Sequence, residues 1–329
     1  MSVTQAMRFH HTGGPEVLCW EEVALAEPQA HEARIRHAAV GLNYIDIYHR
    51  SGLYPVPLPS GLGLEGAGVV EALGAEAAAK TGIHVGDRVA YAGGPLGAYA
   101  ERRNIPADRL VKLPDAIDFD TAAAMMLQGL TAQYLLRRTY RVQAGDTILL
   151  HAAAGGVGLI ACQWAKALGA TVIGTVGNED KAALARAHGC DHTIIYTREN
   201  FTERVKAITA GAGVPVVYDS IGKDTFMGSL DCLRPLGMMV SFGNASGPVP
   251  PFDLGILAPK GSLFVTRPTM MTYLAKREDL LAAAAELFAM VGAGSVKIAV
   301  HQRYALKDAA TAQIDLAARR TTGSTILLP

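Results

Sequence analysis

The chain has 329 residues, of which 50% are hydrophobic and 18% are charged. Lys plus Arg and Asp plus Glu each total 30, so the formal net charge is zero. This composition excludes an intrinsically disordered chain, and it shows no charge excess that would favour a nucleic-acid or membrane partner. A chain of this length exceeds one ordinary hydrophobic core, so we expect two domains.

The first part of the chain, up to residue 124, is rich in glycine and proline. It contains short alternating runs, among them ARIRHAAV, GAGVVEAL and DRVAYA. Such runs predict short strands joined by turns, and therefore a β-rich domain. The start, MSVTQAMRFH, lacks the apolar core of a signal peptide.

Residues 125–266 have a different texture, because apolar strand-like runs alternate with helical patterns. TILLH precedes LIACQWAKAL, TVIGTV precedes KAALARAHG, and PVVYDS, GMMVSFG and SLFVTR follow. This alternation predicts an α/β fold with a doubly wound parallel sheet and helices on both faces. In the remaining tail, DLLAAAAELFAMVGAG predicts an amphipathic helix and STILLP predicts a final strand.

The cysteines and the apolar runs bear on the compartment. Cys19, Cys162, Cys190 and Cys232 lie far apart and form no CxxC pair, which favours a reducing cytoplasm over a disulfide framework. We expect no membrane span, because no charge-free apolar run is long enough to cross a bilayer. The sequence therefore predicts a cytoplasmic protein.

A glycine-rich stretch follows the apolar run TILLH and opens the next helical pattern. Ala153, Gly155 and Gly158 have the spacing of the dinucleotide fingerprint G-x-G-x-x-G, with alanine at the first place. Gly156 and Val157 offer backbone N–H groups at the predicted helix start, where a pyrophosphate binds. The strand before it and the helix after it favour a nucleotide site over a tight turn without a ligand.

The end of the second strand of this region indicates which nucleotide binds. NAD-binding proteins carry an acidic residue there for the ribose hydroxyls, whereas TVIGTV is followed by Gly177 and Asn178. The missing acid, together with Lys181 and Tyr196 as partners for a 2′-phosphate, predicts NADPH as the cofactor. The alternative for Lys181 is an ordinary solvated helix residue.

Other candidate cofactor residues follow from the rule that ligands bind beyond the carboxyl ends of parallel strands. The rule selects residues after PVVYD, after MMVS and after SLFVT. These are Ser220, Ile221, Phe242, Gly243, Asn244, Ala245, Ser246, Arg267 and Pro268.

Several stretches resemble the quinone oxidoreductase (zeta-crystallin-like) branch of the medium-chain dehydrogenase/reductase superfamily. They are GDTILLHAAAGGVGLIACQWAK, VGLNYIDIYHRSGLYP, LPSGLGLEGAGVV, YDSIG, MVSFGNASG and GSLFVTRP. The resemblance implies a GroES-like catalytic domain from residues 1–124 and 267–329 and a Rossmann NADPH-binding domain at 125–266. It also implies a homodimer joined through the Rossmann sheet edges.

The zinc alcohol dehydrogenases of the same superfamily differ at their metal ligands. The resemblance places their first zinc cysteine near Asn43 and their histidine at Leu64, which precedes Glu65. Leucine provides no metal ligand, so we expect no zinc and a structural role for Glu65. Without a Lewis acid, alcohol oxidation is disfavoured, whereas a quinone accepts electrons with less assistance.

The resemblance also suggests roles for residues near the reaction. It implies that Asn43 and Tyr48 are catalytic, that both contact the cofactor, and that Tyr54 lines the substrate pocket. Asp46 is expected to brace the same turn and to belong to the cofactor site, with Thr131 and Tyr134 on the nicotinamide side. Arg319 resembles a cofactor-facing arginine, with Arg320 as the alternative.

The function implied is NADPH-dependent reduction of quinones without a metal, with the quinone held in the interdomain cleft. The electrons pass singly or as hydride, and the sequence leaves both open. One alternative is an NADPH-dependent enal or enone reductase. Another is a zeta-crystallin-like structural or RNA-binding protein, which the zero net charge argues against as the main role.

Overall fold

The computed structural model describes residues 2–329. The strands, numbered in chain order, are β1 (Ser2–Phe9), β2 (Leu18–Leu25), β3 (Glu32–Leu42), β4 (Ser60–Gly61), β5 (Glu65–Leu73), β6 (Arg88–Ala92), β7 (Arg102–Pro106), β8 (Val111–Lys112), β9 (Thr147–Leu150), β10 (Thr171–Val176), β11 (His192–Ile195), β12 (Val214–Asp219), β13 (Leu233–Ser241), β14 (Phe264–Thr266), β15 (Val300–Ala305) and β16 (Ser324–Leu328).

The α-helices are α1 (Tyr44–Ser51), α2 (Ala77–Thr81), α3 (Phe119–Tyr134), α4 (Gly156–Ala167), α5 (Glu179–Ala187), α6 (Phe201–Ile208), α7 (Phe226–Asp231), α8 (Met270–Tyr273), α9 (Arg277–Gly292) and α10 (Ala309–Ala317). A π-helical turn, Leu135–Thr139, follows α3. None of the helices within residues 2–329 is both long and apolar enough to cross a bilayer.

The chain divides into two compact units. The first contains the residues up to Leu130 together with Leu274–Gly292 and Ile298–Pro329, and the second contains Thr131–Tyr273 and Ala293–Lys297. The boundaries expected from sequence texture, at 124/125 and 266/267, lie a few residues earlier. The first division falls inside α3, a continuous helix of 16 residues, so no turn or loop marks the boundary in the sequence.

The first unit is β-rich. Its seven-stranded sheet has the order β15-β16-β3-β5-β6-β8, with β7 also paired to β3, and a second sheet has the order β2-β1-β4. Alternation explains β3, because Ala33 and Ile35 are buried while Arg34 and Arg36 are more exposed. Strand β1 pairs with β2 in antiparallel orientation over its whole length.

The second unit has one six-stranded sheet in which every pairing is parallel. The strand order is β11-β10-β9-β12-β13-β14, which is the doubly wound order 3-2-1-4-5-6 of dinucleotide-binding proteins. All six residues of β12 are buried, as expected for a strand covered on both faces. The predicted α/β fold with a parallel Rossmann sheet is therefore confirmed, and its switch point lies between β9 and β12.

Candidate functional site

The glycine-rich stretch forms the turn between β9 and α4. Gly155 is the N-cap of α4, and Gly156 and Val157 are its first residues, so their N–H groups have no partner within the helix. A Cβ atom on Gly158 would lie 2.3 Å from the carbonyl oxygen of Ala152, so only glycine permits this approach of the helix to the turn. The turn therefore has the free N–H groups and the close packing that a pyrophosphate site needs.

The tip of β10 carries no acidic residue. The strand ends at Val176, and Asn178 caps α5 by accepting a hydrogen bond from the N–H of Lys181 at 2.9 Å. Glu179 lies in the first turn of α5 and forms an ion pair with Arg198 at 3.2 Å. This acidic residue therefore stabilises the start of α5 and does not occupy the tip of the strand.

Gly177 and Tyr196 lie close together at this tip. A Cβ atom on Gly177 would lie 3.2 Å from the hydroxyl oxygen of Tyr196. Tyr196 follows β11 and is 40% exposed. Of the predicted cofactor residues at this tip, Gly177 and Tyr196 thus lie together, and Lys181 lies at the start of the adjacent helix.

The predicted residues after β12 and β13 lie in two loops that bond to each other. The N–H of Ala245 donates to the carbonyl of Ser220 at 3.1 Å, and the N–H of Ser246 donates to the carbonyl of Ile221 at 2.8 Å. Arg267, which follows β14, donates to the carbonyl of Gly243 at 3.3 Å. These contacts gather most of the set selected by the strand-end rule, namely Ser220, Ile221, Gly243, Ala245, Ser246 and Arg267; Phe242, Asn244 and Pro268 lie beside them in the chain.

Thr131 and Tyr134 lie at the end of α3 and interact with each other through their side chains. Burial raises the pKa of Tyr134, and this ring stacks on Tyr273 with centroids 4.9 Å apart. Tyr273 is a neighbour that sequence reasoning missed, because it lies in the short helix α8, far away along the chain.

In the first unit, the start of α1 is held by buried polar groups. The carboxylate Oδ2 of Asp46 accepts hydrogen bonds from the N–H of Asn43 at 2.9 Å and from the hydroxyl of Tyr99 at 2.8 Å. Asp46 is fully buried, and burial raises its pKa to about 7. Its carboxyl group braces the turn, as expected, and is too deeply enclosed to reach a cofactor itself.

Asn43 belongs to a chain of buried side chains. Its Nδ2 donates to Oε2 of Glu65 at 2.6 Å, and its Oδ1 accepts from Nε2 of Gln128 at 3.3 Å. The hydroxyl of Ser324 lies 2.6 Å from Oε1 of Gln128. Sequence reasoning missed Gln128 and Ser324, which fix the orientation of the Asn43 amide, because they come from distant segments.

Glu65 has the structural role expected for it. Its Oε1 accepts the N–H of Leu127 at 2.7 Å, and its side chain is fully buried. Burial raises the pKa of Glu65 to about 8, and the hydrogen bonds from Asn43 and Leu127 oppose this shift. The residue therefore joins β5, the Asn43 turn and α3.

Tyr48 lies in an aromatic cluster on and beside α1. Its ring centroid lies 5.1 Å from that of Tyr54 and 5.5 Å from that of Tyr44. The charge of Arg319 lowers the pKa of Tyr44 against the opposite effect of burial, which is larger. Arg320 instead donates through Nε to Asp315 at 2.9 Å. The two neighbouring arginines are thus separated, with Arg319 near the aromatic cluster and Arg320 paired.

Known proteins resemble this chain over its whole length. Residues 29–115 match the family described as "Alcohol dehydrogenase GroES-like domain", and residues 156–302 match that described as "Zinc-binding dehydrogenase". A quinone oxidoreductase of Pseudomonas aeruginosa is 58% identical, with 99% of this chain and 100% of the relative covered. A 2-haloacrylate reductase of Burkholderia sp. is 46% identical, with 99% of each chain covered.

Solved structures agree with this resemblance. The structure of an Escherichia coli quinone oxidoreductase complexed with NADPH is 52% identical, covers 99% of this chain and 100% of its own, and has a TM-score of 0.96. The predicted GroES-like and Rossmann classes are thus both confirmed.

The residues of this chain do not fit the zinc ion that the second family description mentions. At or near the positions where the resemblance places the zinc ligands stand the amide of Asn43, the alkyl side chain of Leu64 and the already bonded carboxyl of Glu65. Throughout residues 2–329, no group of three or more His, Cys, Asp or Glu side chains is arranged to hold a metal ion. Amide and alkyl groups are poor partners for zinc, which takes thiolate, imidazole and carboxylate ligands.

Three findings lead to one assignment. They are the glycine-rich turn after β9 with no acidic residue at the tip of β10, the hydrogen-bonded loops after β12 and β13, and the sequence identity to quinone oxidoreductases over the full length of the chain. The chain belongs to the quinone oxidoreductase branch of the medium-chain dehydrogenase/reductase superfamily.

Proposed function

We propose that this chain is an NADPH:quinone oxidoreductase that works without a metal ion. The observation that carries the proposal is the doubly wound sheet with a glycine-rich turn after β9 and no acidic residue at the tip of β10. Such a tip accepts a 2′-phosphate, whereas an acid there would repel it. Three similar proteins are named quinone oxidoreductases, which supports the same function for this chain.

The residues present fit NADPH. The pyrophosphate would be held by the N–H groups of Gly156 and Val157, because a helix start favours an anion. The 2′-phosphate would be held by Lys181 and Tyr196, and the loops containing Ser220 and residues 242–246 would enclose the rest. When bound, NADPH supplies the two electrons of the reduction.

The first unit supplies the groups that act on the quinone. We assign Asn43 to hydrogen bonding of a substrate oxygen or of the nicotinamide ribose, Tyr48 to donation to a quinone oxygen, and Tyr54 to lining the pocket. The bonds from Gln128 and to Glu65 hold the Asn43 amide in one orientation. Orientation and modest hydrogen bonding suffice for a quinone, because it accepts electrons readily.

A second candidate is reduction of an activated carbon–carbon double bond. It is favoured by the 2-haloacrylate reductase that is 46% identical over 99% of this chain. In either case NADPH would supply the electrons on the same fold, so the pocket near Asn43 and Tyr48 decides between the two candidates. The zero net charge is the reason why we assign no nucleic-acid role.

A comparison of substrates tests the proposed function. NADPH oxidation is followed with a simple benzoquinone and, in parallel, with a 2-haloacrylate and an enal. We expect kcat/KM to be highest for the quinone, and Tyr48→Phe to lower it because a hydrogen-bond donor is lost. Faster turnover of an unsaturated acid or aldehyde would transfer the assignment to the second candidate.

We also propose a homodimer joined through β14, one of the two edge strands of the six-stranded sheet. An edge strand offers unpaired N–H and carbonyl groups to a second copy. Phe264 on this strand is 57% exposed, and Leu236 on the neighbouring strand is 68% exposed. A second copy would cover both.

The four cysteines, all without a disulfide, support a cytoplasmic location.

A further inference from the structure

A chain of buried side chains runs across the carboxyl ends of three adjacent strands in the second unit. Nδ1 of His151, just after β9, lies 2.9 Å from the hydroxyl of Thr175 on β10. Nε2 of His151 lies 2.9 Å from the hydroxyl of Ser229 on α7. Ser229 in turn donates to Oδ2 of Asp219, the last residue of β12, at 3.0 Å.

The proton positions in this chain follow from Asp219. Ser229 donates the single proton of its hydroxyl to Oδ2 of Asp219. The hydroxyl oxygen of Ser229 must then accept from Nε2–H of His151. In the neutral ring Nδ1 is the acceptor, and it accepts a hydrogen bond from the hydroxyl of Thr175. The hydrogen-bond network therefore assigns one tautomer to His151.

All four residues are almost completely buried: Thr175 is 1% exposed, His151 2%, and Ser229 and Asp219 0%. Burial lowers the pKa of His151, while the charge of Asp219 opposes the shift, so the neutral ring is favoured. A buried polar group that loses its partner is costly, so the members hold one another in place.

The two ends of this hydrogen-bonded network of side chains reach the loops of the candidate cofactor site. Oδ1 of Asp219 accepts the N–H groups of Ile221 at 2.7 Å and of Gly222 at 3.1 Å, which sets the loop after β12. His151 is the first residue of the glycine-rich turn, and the N–H of Ala153 in that turn donates to the carbonyl of Thr175 at 3.1 Å. The chain thus connects both sides of the switch point between β9 and β12.

We infer that Thr175, His151, Ser229 and Asp219 are positioning residues that set the glycine-rich turn and the loop after β12 for NADPH binding. This inference rests on the proposed function. None of the four side chains is exposed enough to act on a substrate, so they act through the backbone that they hold. Their loss should therefore weaken NADPH binding and raise the KM for NADPH, with little change in kcat once NADPH saturates the enzyme.

The test measures the Kd for NADPH with the full-length protein, by titration of intrinsic tryptophan fluorescence. Ser229→Ala removes the link between His151 and Asp219, and Thr175→Val removes the other end of the chain at nearly constant volume. Tyr91→Phe is the matched control, because it breaks a hydroxyl–imidazole bond of 2.9 Å to the buried His37 in the first unit. We expect roughly tenfold weaker NADPH binding for Ser229→Ala and Thr175→Val, and unchanged binding for Tyr91→Phe.

Two substitutions of His151 separate positioning from a general effect on folding. His151→Gln keeps a donor for Ser229 and should retain more NADPH affinity than His151→Leu, which keeps none. If Ser229→Ala and Thr175→Val bind NADPH as tightly as Tyr91→Phe does, or if Gln and Leu at position 151 are equivalent, the inference is overturned. Failure of the unaltered protein to bind NADPH would instead overturn the proposed function.

Discussion

At the scale of single residues, buried carboxyl groups shape the pH dependence of this fold. Glu65 has a pKa raised to about 8, against about 4.5 in an unfolded chain, and Asp46 has one raised to about 7. Between the unfolded and the folded pKa, the folded protein therefore binds more protons than the unfolded chain. The free energy of unfolding must then fall as the pH rises through this window.

Replacing Glu65 isolates its share of that dependence. We expect the free energy of unfolding of Glu65→Gln to fall less steeply between pH 5 and pH 8 than that of the unaltered protein, by up to about 1.4 kcal/mol per pH unit. Urea unfolding at several pH values measures both slopes. Identical slopes would show that Glu65 titrates in the fold as it does in the unfolded chain.

Cofactor selectivity is also decided by single residues. Lys181→Ala should weaken NADPH binding roughly tenfold and leave NADH binding nearly unchanged, since only NADPH carries the 2′-phosphate. Lys206→Ala, on the exposed side of α6, is the matched control and should affect neither. Kd values for both nucleotides decide the matter, and equal losses for NADPH and NADH with Lys181→Ala would remove this residue from the phosphate site.

The sequence could predict residue roles only where the spacing is local. Gly155, Gly156, Val157 and Gly158 could be identified because strand, turn and helix follow one another within the chain. Gln128 and Ser324, which orient Asn43, could not, since that contact depends on long-range folding. The different environments of Arg319 and Arg320 could not be predicted from the sequence either, because they depend on the pairing of Arg320 with Asp315 in the folded protein.

At the scale of elements, the β9–turn–α4 unit depends on one close approach. A Cβ atom on Gly158 would lie 2.3 Å from the carbonyl oxygen of Ala152 and 2.7 Å from that of Ala153. Because these are backbone atoms, the contact could be relieved only by a shift of α4 or of the turn before it. The glycine therefore supports the packing of this unit, whether or not a nucleotide is bound.

Gly158→Ala should lower the free energy of unfolding by about 1–3 kcal/mol, the usual range for an overpacked site. Gly292→Ala at the end of α9 is the control, because a Cβ atom there meets nothing within 4 Å. Urea unfolding without nucleotide gives both values. Equal stability of the two variants would show that α4 and β9 have room to separate.

The elements themselves could largely be predicted from the apolar runs and their alternation. TVIGTV is β10, PVVYD lies within β12, and the helix expected in the tail is α9. The point inside α3 at which the two units divide could not be predicted, because a helix that continues through a domain boundary gives no local sequence signal of that boundary.

At the scale of the whole molecule, the order of the six parallel strands puts β14 at an edge of the sheet. If two copies join through this edge, a charge placed on it should prevent their association. Phe264→Asp is expected to yield monomers in sedimentation analysis, whereas Ile314→Asp on α10, which is also exposed, should leave the dimer intact. Dimers that survive Phe264→Asp would place the interface elsewhere.

The most direct measurement is the loss of NADPH absorbance with a small quinone in chelator-treated buffer, with NADH followed in parallel. We expect fast, quinone-dependent oxidation of NADPH, much slower oxidation of NADH, and no effect of the chelator. Equal rates with both nucleotides, or a rate that the chelator abolishes, would contradict this expectation. So would a protein that binds NADPH but leaves it unoxidised in the presence of the quinone.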